Sequence, residues 1–213
     1  MQLTTSIRSA LIAGAATTVL LTGATGAVAA PPAPSPAPSP AATAPAATAH
    51  SPYGQLRPLA ALSAERLATA DLVAAAKWGT GSPIDDPARE QEVLNSVAEQ
   101  ARQLGADPAA TTRIFRDQIE ANKVVQRGLF SQWDANPAQA PTRRPDLQEV
   151  RKEINRVNGE LVRAIAASPY ARSAPSCTPL LATAAARVGA ERQLDGLHAV
   201  ALARSLWSVC AGA

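Results

Sequence analysis

The residues able to do chemistry in this sequence are cations and amides set into apolar helical seams. In the block LAALSAERLATADLVAAAKW, steps of three and four residues collect Leu59, Ser63, Arg66, Ala70, Val73 and Lys77 on one face. Arg66 and Lys77 share that face roughly 16 Å apart along the axis. Burying one cation without a partner is expensive, and two more so, so either the chain or a ligand must supply anions. A second stripe, Leu147, Arg151, Ile154, Asn158, Leu161 and Ile165, places an arginine in an aliphatic face. A third, Phe115, Gln118, Asn122, Gln126, Leu129 and Trp133, carries three amides. Asp86 and Arg89 open a further helix with one charge of each sign. The cations Arg66, Lys77, Arg89 and Arg151 thus outnumber the one carboxylate beside them, Asp86. That balance suits a small anion with about two negative charges, gripped by guanidinium forks that match carboxylates. Asn122 and Gln126, one turn apart, are able to donate to a neutral or developing oxygen. Lys123, next to Asn122, reads as solvent-facing.

Other chemistry is missing from the sequence. No His, Cys, Asp or Glu cluster has metal-ligand spacing, and no phosphate-cradling glycine loop or GxSxG serine occurs, so neither a metal nor a cofactor is expected. Cys177 and Cys210 read as a disulfide in an exported chain, closing a loop that contributes roughly 3–4 kcal/mol. A catalytic thiol needs a base, and the histidines are His50 and His198; three helical turns from Cys210, His198 is too far for a hydrogen bond. An enzyme made from these parts acts by positioning and electrostatics rather than by proton or covalent chemistry.

The elements that must position these residues follow from the local signals. Residues 1–29 read as a secretory signal peptide, with Arg8, the apolar run ALIAGAATTVLL and the Ala27-Val28-Ala29 cleavage signature; the run is too short to span a membrane. Residues 30–52, almost entirely Pro, Ala, Ser and Thr, read as an extended tether. Residues 53–213 form the folded domain. Loss of Arg8 takes the net charge from +3 to near +2, with no basic run and 3% aromatics, which argues against nucleic-acid binding. The first helix is expected over about 54–78, ended by Gly79 and Gly81. Asp86-Pro87 and Asp107-Pro108 each start another. Asp146 with Glu149 resembles a capping box opening a fourth helix to about Ala167. SPYARSAPS is a loop, Pro179 opens a fifth helix, and Gly189 separates it from a sixth ending at Cys210. No strand pattern occurs. The expected fold is an all-α bundle of about six helices with one disulfide.

The Arg66-to-Lys77 spacing, followed by Asp86 and Arg89, resembles the all-helical (type II) chorismate mutases. The segments VAAAKW, DQIEANK, FSQWDANPAQAP and SAPSC, with the second cysteine near the end, are similar to the exported subclass, over about residues 55–211. The resemblance implies a cofactor-free Claisen rearrangement of chorismate to prephenate, in a homodimer located in a periplasmic, cell-wall or extracellular space. It implies that Arg66 and Arg151 bind substrate carboxylates and that Arg89 holds the second carboxylate with Asn122. Lys77 and Gln126 are implied to reach the ether oxygen, and Asp86 the ring hydroxyl. Two positions depart from the usual pattern: Gln126 stands where exported relatives often have Glu, and Asn122 where Ser or Thr is usual. The alternative reading is a non-catalytic secreted bundle that binds a small dicarboxylate or a partner protein.

Overall fold

The computed structural model describes residues 51–210, so the expected signal peptide and nearly all of the expected tether lie outside the described residues. Among the described residues seven α-helices follow one another: α1 (Pro52–Lys77), α2 (Pro87–Gln103), α3 (Pro108–Ala135), α4 (Leu147–Ala166), α5 (Pro169–Ser173), α6 (Cys177–Glu191) and α7 (Gly196–Ser205). Among the described residues there is no strand.

Helix α1 is the axis of the bundle, packed against α3, α4, α6 and α7. Leu56, Leu59, Ala60, Ala64, Leu67, Ala70 and Ala74 are buried along its length, meeting Phe115 and Ile114 of α3 and Leu161 and Ile165 of α4 in one core. Contact on several sides explains why small apolar residues occur around much of its circumference rather than on a single stripe. Ser51 caps it, its Oγ accepting from Gly54 N at 3.0 Å, so the helix starts two residues earlier than expected. At its other end Gly79 (φ +68°) and Gly81 (φ +74°) take the left-handed backbone that glycine adopts without strain. Trp78 stacks edge-on against Phe130 and Trp133 of α3, with ring centroids 5.0 and 5.3 Å away, which fixes the end of α1 that carries Lys77.

The three Asp-Pro-type or Asp starts are capped as the side chains demand. Asp86 accepts from Arg89 N, Asp107 from Ala109 N and Asp146 from Gln148 N. Glu149 does not complete a capping box; its carboxylate pairs with Lys152 at 2.7 Å. Three further differences lie in the C-terminal third. The expected loop after Ala167 contains the short α5. Helix α6 begins at Cys177, with Pro179 inside its first turn, where a missing N–H costs nothing. Gly189 does not interrupt α6, which continues to Glu191 and ends in a Schellman turn: Leu194 N donates to Gly189 O at 2.9 Å and Gln193 takes φ 53°. Cys177 and Cys210 are disulfide-bonded, tying the start of α6 to the segment after α7. No helix among the described residues is long and apolar enough to cross a membrane.

Candidate active site

The seven residues singled out by spacing line one cavity of about 110 Å³ between α1, α2, α3 and α4. Arg66 and Lys77 come from α1, Asp86 and Arg89 from the start of α2, Asn122 and Gln126 from the middle of α3, and Arg151 from the second turn of α4. Val73, Val93, Ile119 and Ile154 supply apolar wall. A much larger groove of about 1110 Å³ runs between α6 and α7, but alanines and leucines line most of it. Its acidic member, Asp117, is engaged by Arg204 at 2.7 Å and by Ser208 N at 3.0 Å. Size favours the groove, whereas convergent polar groups favour the smaller cavity, and chemistry requires the latter.

Arg66 is 5% exposed and forms no ion pair among the described residues. Its Nε donates to Asn158 Oδ1 at 2.9 Å and its Nη1 to Gln118 O at 2.8 Å, both uncharged acceptors. Burial pushes its guanidinium down to about 10, an expression of charge removed from water without a counter-ion. Lys77 Nζ donates to Pro83 O at 2.8 Å and to Ile84 O at 3.2 Å. Burial holds its pKa below the ordinary lysine value and the nearby Arg151 charge adds to that, against the opposing pull of Asp86, Asp85 and Glu90. Arg151 forms no hydrogen bond or ion pair among the described residues. Arg89 pairs with Glu92 at 2.9 Å and reaches across to Asn155 Oδ1 of α4 at 3.3 Å.

The two amides form a directed relay. Arg66 O is only able to accept, so Asn122 presents Nδ2 to it at 3.3 Å. Asn122 Oδ1 therefore faces Gln126, whose Nε2 donates to it at 3.0 Å. Gln126 Oε1 is left buried without a protein partner among the described residues. An acceptor left without a partner in this way costs about 1–3 kcal/mol.

Two site features escape the spacing argument. Lys123 is not solvent-facing: it is 8% exposed and meets Glu120 at 2.6 Å, Asp85 at 3.2 Å and Glu90 at 3.2 Å. One residue past Asn122, the helix has rotated it towards the start of α2, where Asp85 and Glu90 sit; Glu120 is one turn earlier on its own helix. Burial lowers its pKa, but the hydrogen bonds it donates to the three carboxylates overcome this and push it up to about 12. Glu90 also lines the cavity, so Asp86 is not the only carboxylate there. The charge balance stays cationic, because Glu90 is engaged by Lys123 while Arg66 and Arg151 have no anion. Asp86 itself has Oδ1 engaged in capping Arg89 N at 3.1 Å. The pair Glu120–Lys123 at helical spacing, with three acids between Asp85 and Glu90, was the available signal for this cluster. Among the described residues no group of side chains is arranged to hold a metal ion.

Comparison with known proteins agrees with this geometry. Residues 57–127 match the family described as Chorismate mutase type II. A protein of Mycolicibacterium smegmatis named secreted chorismate mutase is 39% identical over 155 residues, covering 73% of this chain and 86% of that protein. One of the same name from Mycobacterium tuberculosis is 39% identical over 156 residues, covering 73% and 78% respectively. The crystal structure of chorismate mutase from Burkholderia thailandensis superposes with a TM-score of 0.70 at 36% identity, covering 73% of this chain and 99% of that one. The chain belongs to the type II chorismate mutase family.

Proposed function

We propose that this cavity converts chorismate to prephenate, with each polar side chain assigned by the charge it meets. The observation that carries the reading is the uncompensated cation pair, Arg66 and Arg151, in a cavity that also holds Lys77 and two amides. Arg66 and Arg151 take substrate carboxylates, and Arg89 supports the second of these together with Asn122, which keeps one Nδ2 hydrogen beyond the one given to Arg66 O. This clamps the enolpyruvyl arm over the ring in a reactive conformer. Lys77 has three donors and gives two to Pro83 O and Ile84 O; the third is aimed at the ether oxygen, where negative charge grows as the C–O bond breaks. Gln126 contributes its second Nε2 hydrogen to the same oxygen. Asp86, through its free oxygen, accepts from the ring hydroxyl. A fixed cation that is complementary only to transition-state charge raises kcat rather than merely tightening binding.

We further infer that residues 1–29 direct export, a reading supported by the relatives named secreted and by the disulfide, that residues 30–50 tether the domain in a periplasmic or cell-wall space, and that the enzyme is a homodimer. Every assigned residue comes from one chain, so each protomer holds a complete pocket. The assay is loss of chorismate absorbance with purified residues 30–213. Turnover that falls by about 10²–10³-fold in Lys77→Ala and Arg151→Ala, with melting temperature retained, is expected. Absence of turnover in the wild type overturns the reading and favours a dicarboxylate-binding bundle; light scattering gives the oligomeric state.

A further inference from the structure

The shell around Arg66 is uncharged throughout. Asn158 Oδ1 and Gln118 O accept its two hydrogen bonds, and Gln118 is in turn fixed through Nε2 by Ser63 Oγ at 2.7 Å and Ser205 O at 3.0 Å. Asn158 is not among the residues that line the cavity and lies two turns along α4 from Arg151, on the same face. It is 4% exposed, and its Nδ2 donates no hydrogen bond among the described residues. Its whole contact with Arg66 is therefore made by one neutral oxygen. An aspartate there has the same shape and the same acceptor, and adds a full negative charge.

We propose that Asn158 is a positioning and specificity residue: it orients the Arg66 guanidinium with a neutral acceptor and so leaves the cation uncompensated for a substrate carboxylate. The proposal rests on the reading of Arg66 as a carboxylate clamp and adds to it the reason the clamp is strong. Buried guanidinium charge is attracted to an incoming carboxylate in a low-dielectric setting; a resident carboxylate satisfies that charge in advance and leaves little for the ligand. The choice of amide over acid at position 158 thus favours a doubly charged ligand, at the expense of a buried cation in the unliganded fold.

The test compares Asn158→Asp with Asn158→Ala in the full mature chain. Asn158→Asp is expected to melt at or above the wild-type temperature while KM for chorismate rises roughly tenfold or more, with kcat changed much less. Asn158→Ala is expected to raise KM as well, because Arg66 loses its orienting acceptor, but to melt lower. A second readout needs no turnover: millimolar malate should raise the melting temperature of the wild type and fail to do so for Asn158→Asp. Wild-type KM and malate protection in Asn158→Asp overturn the inference, and a loss of kcat at constant KM does so too, since it moves the effect to the transition state. A wild type that malate protects but that turns over no chorismate leaves this inference standing and overturns the functional reading instead.

Discussion

Two buried cations, Arg66 on α1 and Lys123 on α3, are held in opposite ways. Lys123 sits among Glu120, Asp85 and Glu90, and its charge is fully met inside the protein. Arg66 is buried to the same degree and meets only the neutral oxygens of Asn158 and Gln118. The first arrangement stabilises a fold: it joins α3 to the start of α2 and, through Asp85, to the segment that carries the carbonyls bonded by Lys77. The second arrangement does not help the fold, since an unpaired buried charge is a cost. What it provides is readiness for an anion. Under the proposed function Arg66 belongs to the ligand and Lys123 to the scaffold, a distinction that burial alone does not reveal.

The largest expected effect separates the two directly. Arg66→Met should lower kcat/KM by about 10²–10³-fold while changing the melting temperature little, because removing a charge the fold never neutralises offsets the donor lost to Asn158 Oδ1. Lys123→Met should do the reverse, lowering stability by about 2 kcal/mol, with kcat/KM of the folded protein falling less than about tenfold. Denaturant melts and steady-state kinetics on the two variants decide the matter. Equal destabilisation by both substitutions would remove the distinction.

A smaller effect comes from placing an anion among the uncompensated cations. Gln126→Glu keeps the shape of the side chain but must be protonated to donate to the ether oxygen. The wild type, with an amide there, should show kcat that varies little between about pH 5 and 8, whereas kcat of Gln126→Glu should fall as pH rises. A wild-type kcat that drops steeply over this range while the fold is intact would argue against Gln126 as the donor.

Much of this site was legible because its residues violate the pattern around them. A cation or amide at an i, i+3 or i+4 position of an apolar stripe is conspicuous in sequence, and Arg66, Asn122, Gln126 and Arg151 all sit at such positions. Asn158 was in the same stripe as Arg151, but its partner comes from another helix, and spacing along one helix says nothing about that. Lys123 departs from the solvent-facing expectation for the same reason: two of its three carboxylates lie more than thirty residues earlier, before and within the first turn of α2. The all-α architecture followed from capping residues and periodicity, which are local. The end of α6 did not, because Gly189 weakens a helix without stopping it, and Leu194 closing over Gly189 O fixed the end at a glutamine instead.

The smallest effect belongs to a third cation, one that is met by carboxylates yet switches with pH. His198 of α7 has Nδ1 2.8 Å from Asp195, the cap of its own helix, and Nε2 2.9 Å from Asp71 of α1. Burial lowers its pKa, but the hydrogen bonds and charges of Asp195 and Asp71 outweigh burial and hold it above the ordinary histidine value. A raised folded value means that the contribution is fully present below about pH 6.5, the unfolded value, and is lost as pH rises through the folded one. Both carboxylates are largely solvent-exposed, so the contribution should stay below about 1 kcal/mol. Thermal melts of wild type and His198→Gln should therefore differ most near pH 6 and converge as the pH is raised. A gap that widens with pH would mean that His198 is held neutral despite two carboxylates within hydrogen-bond distance. Proximity of acids would then be insufficient to infer compensation, and the assignment of Lys123 to the scaffold would lose its footing along with it.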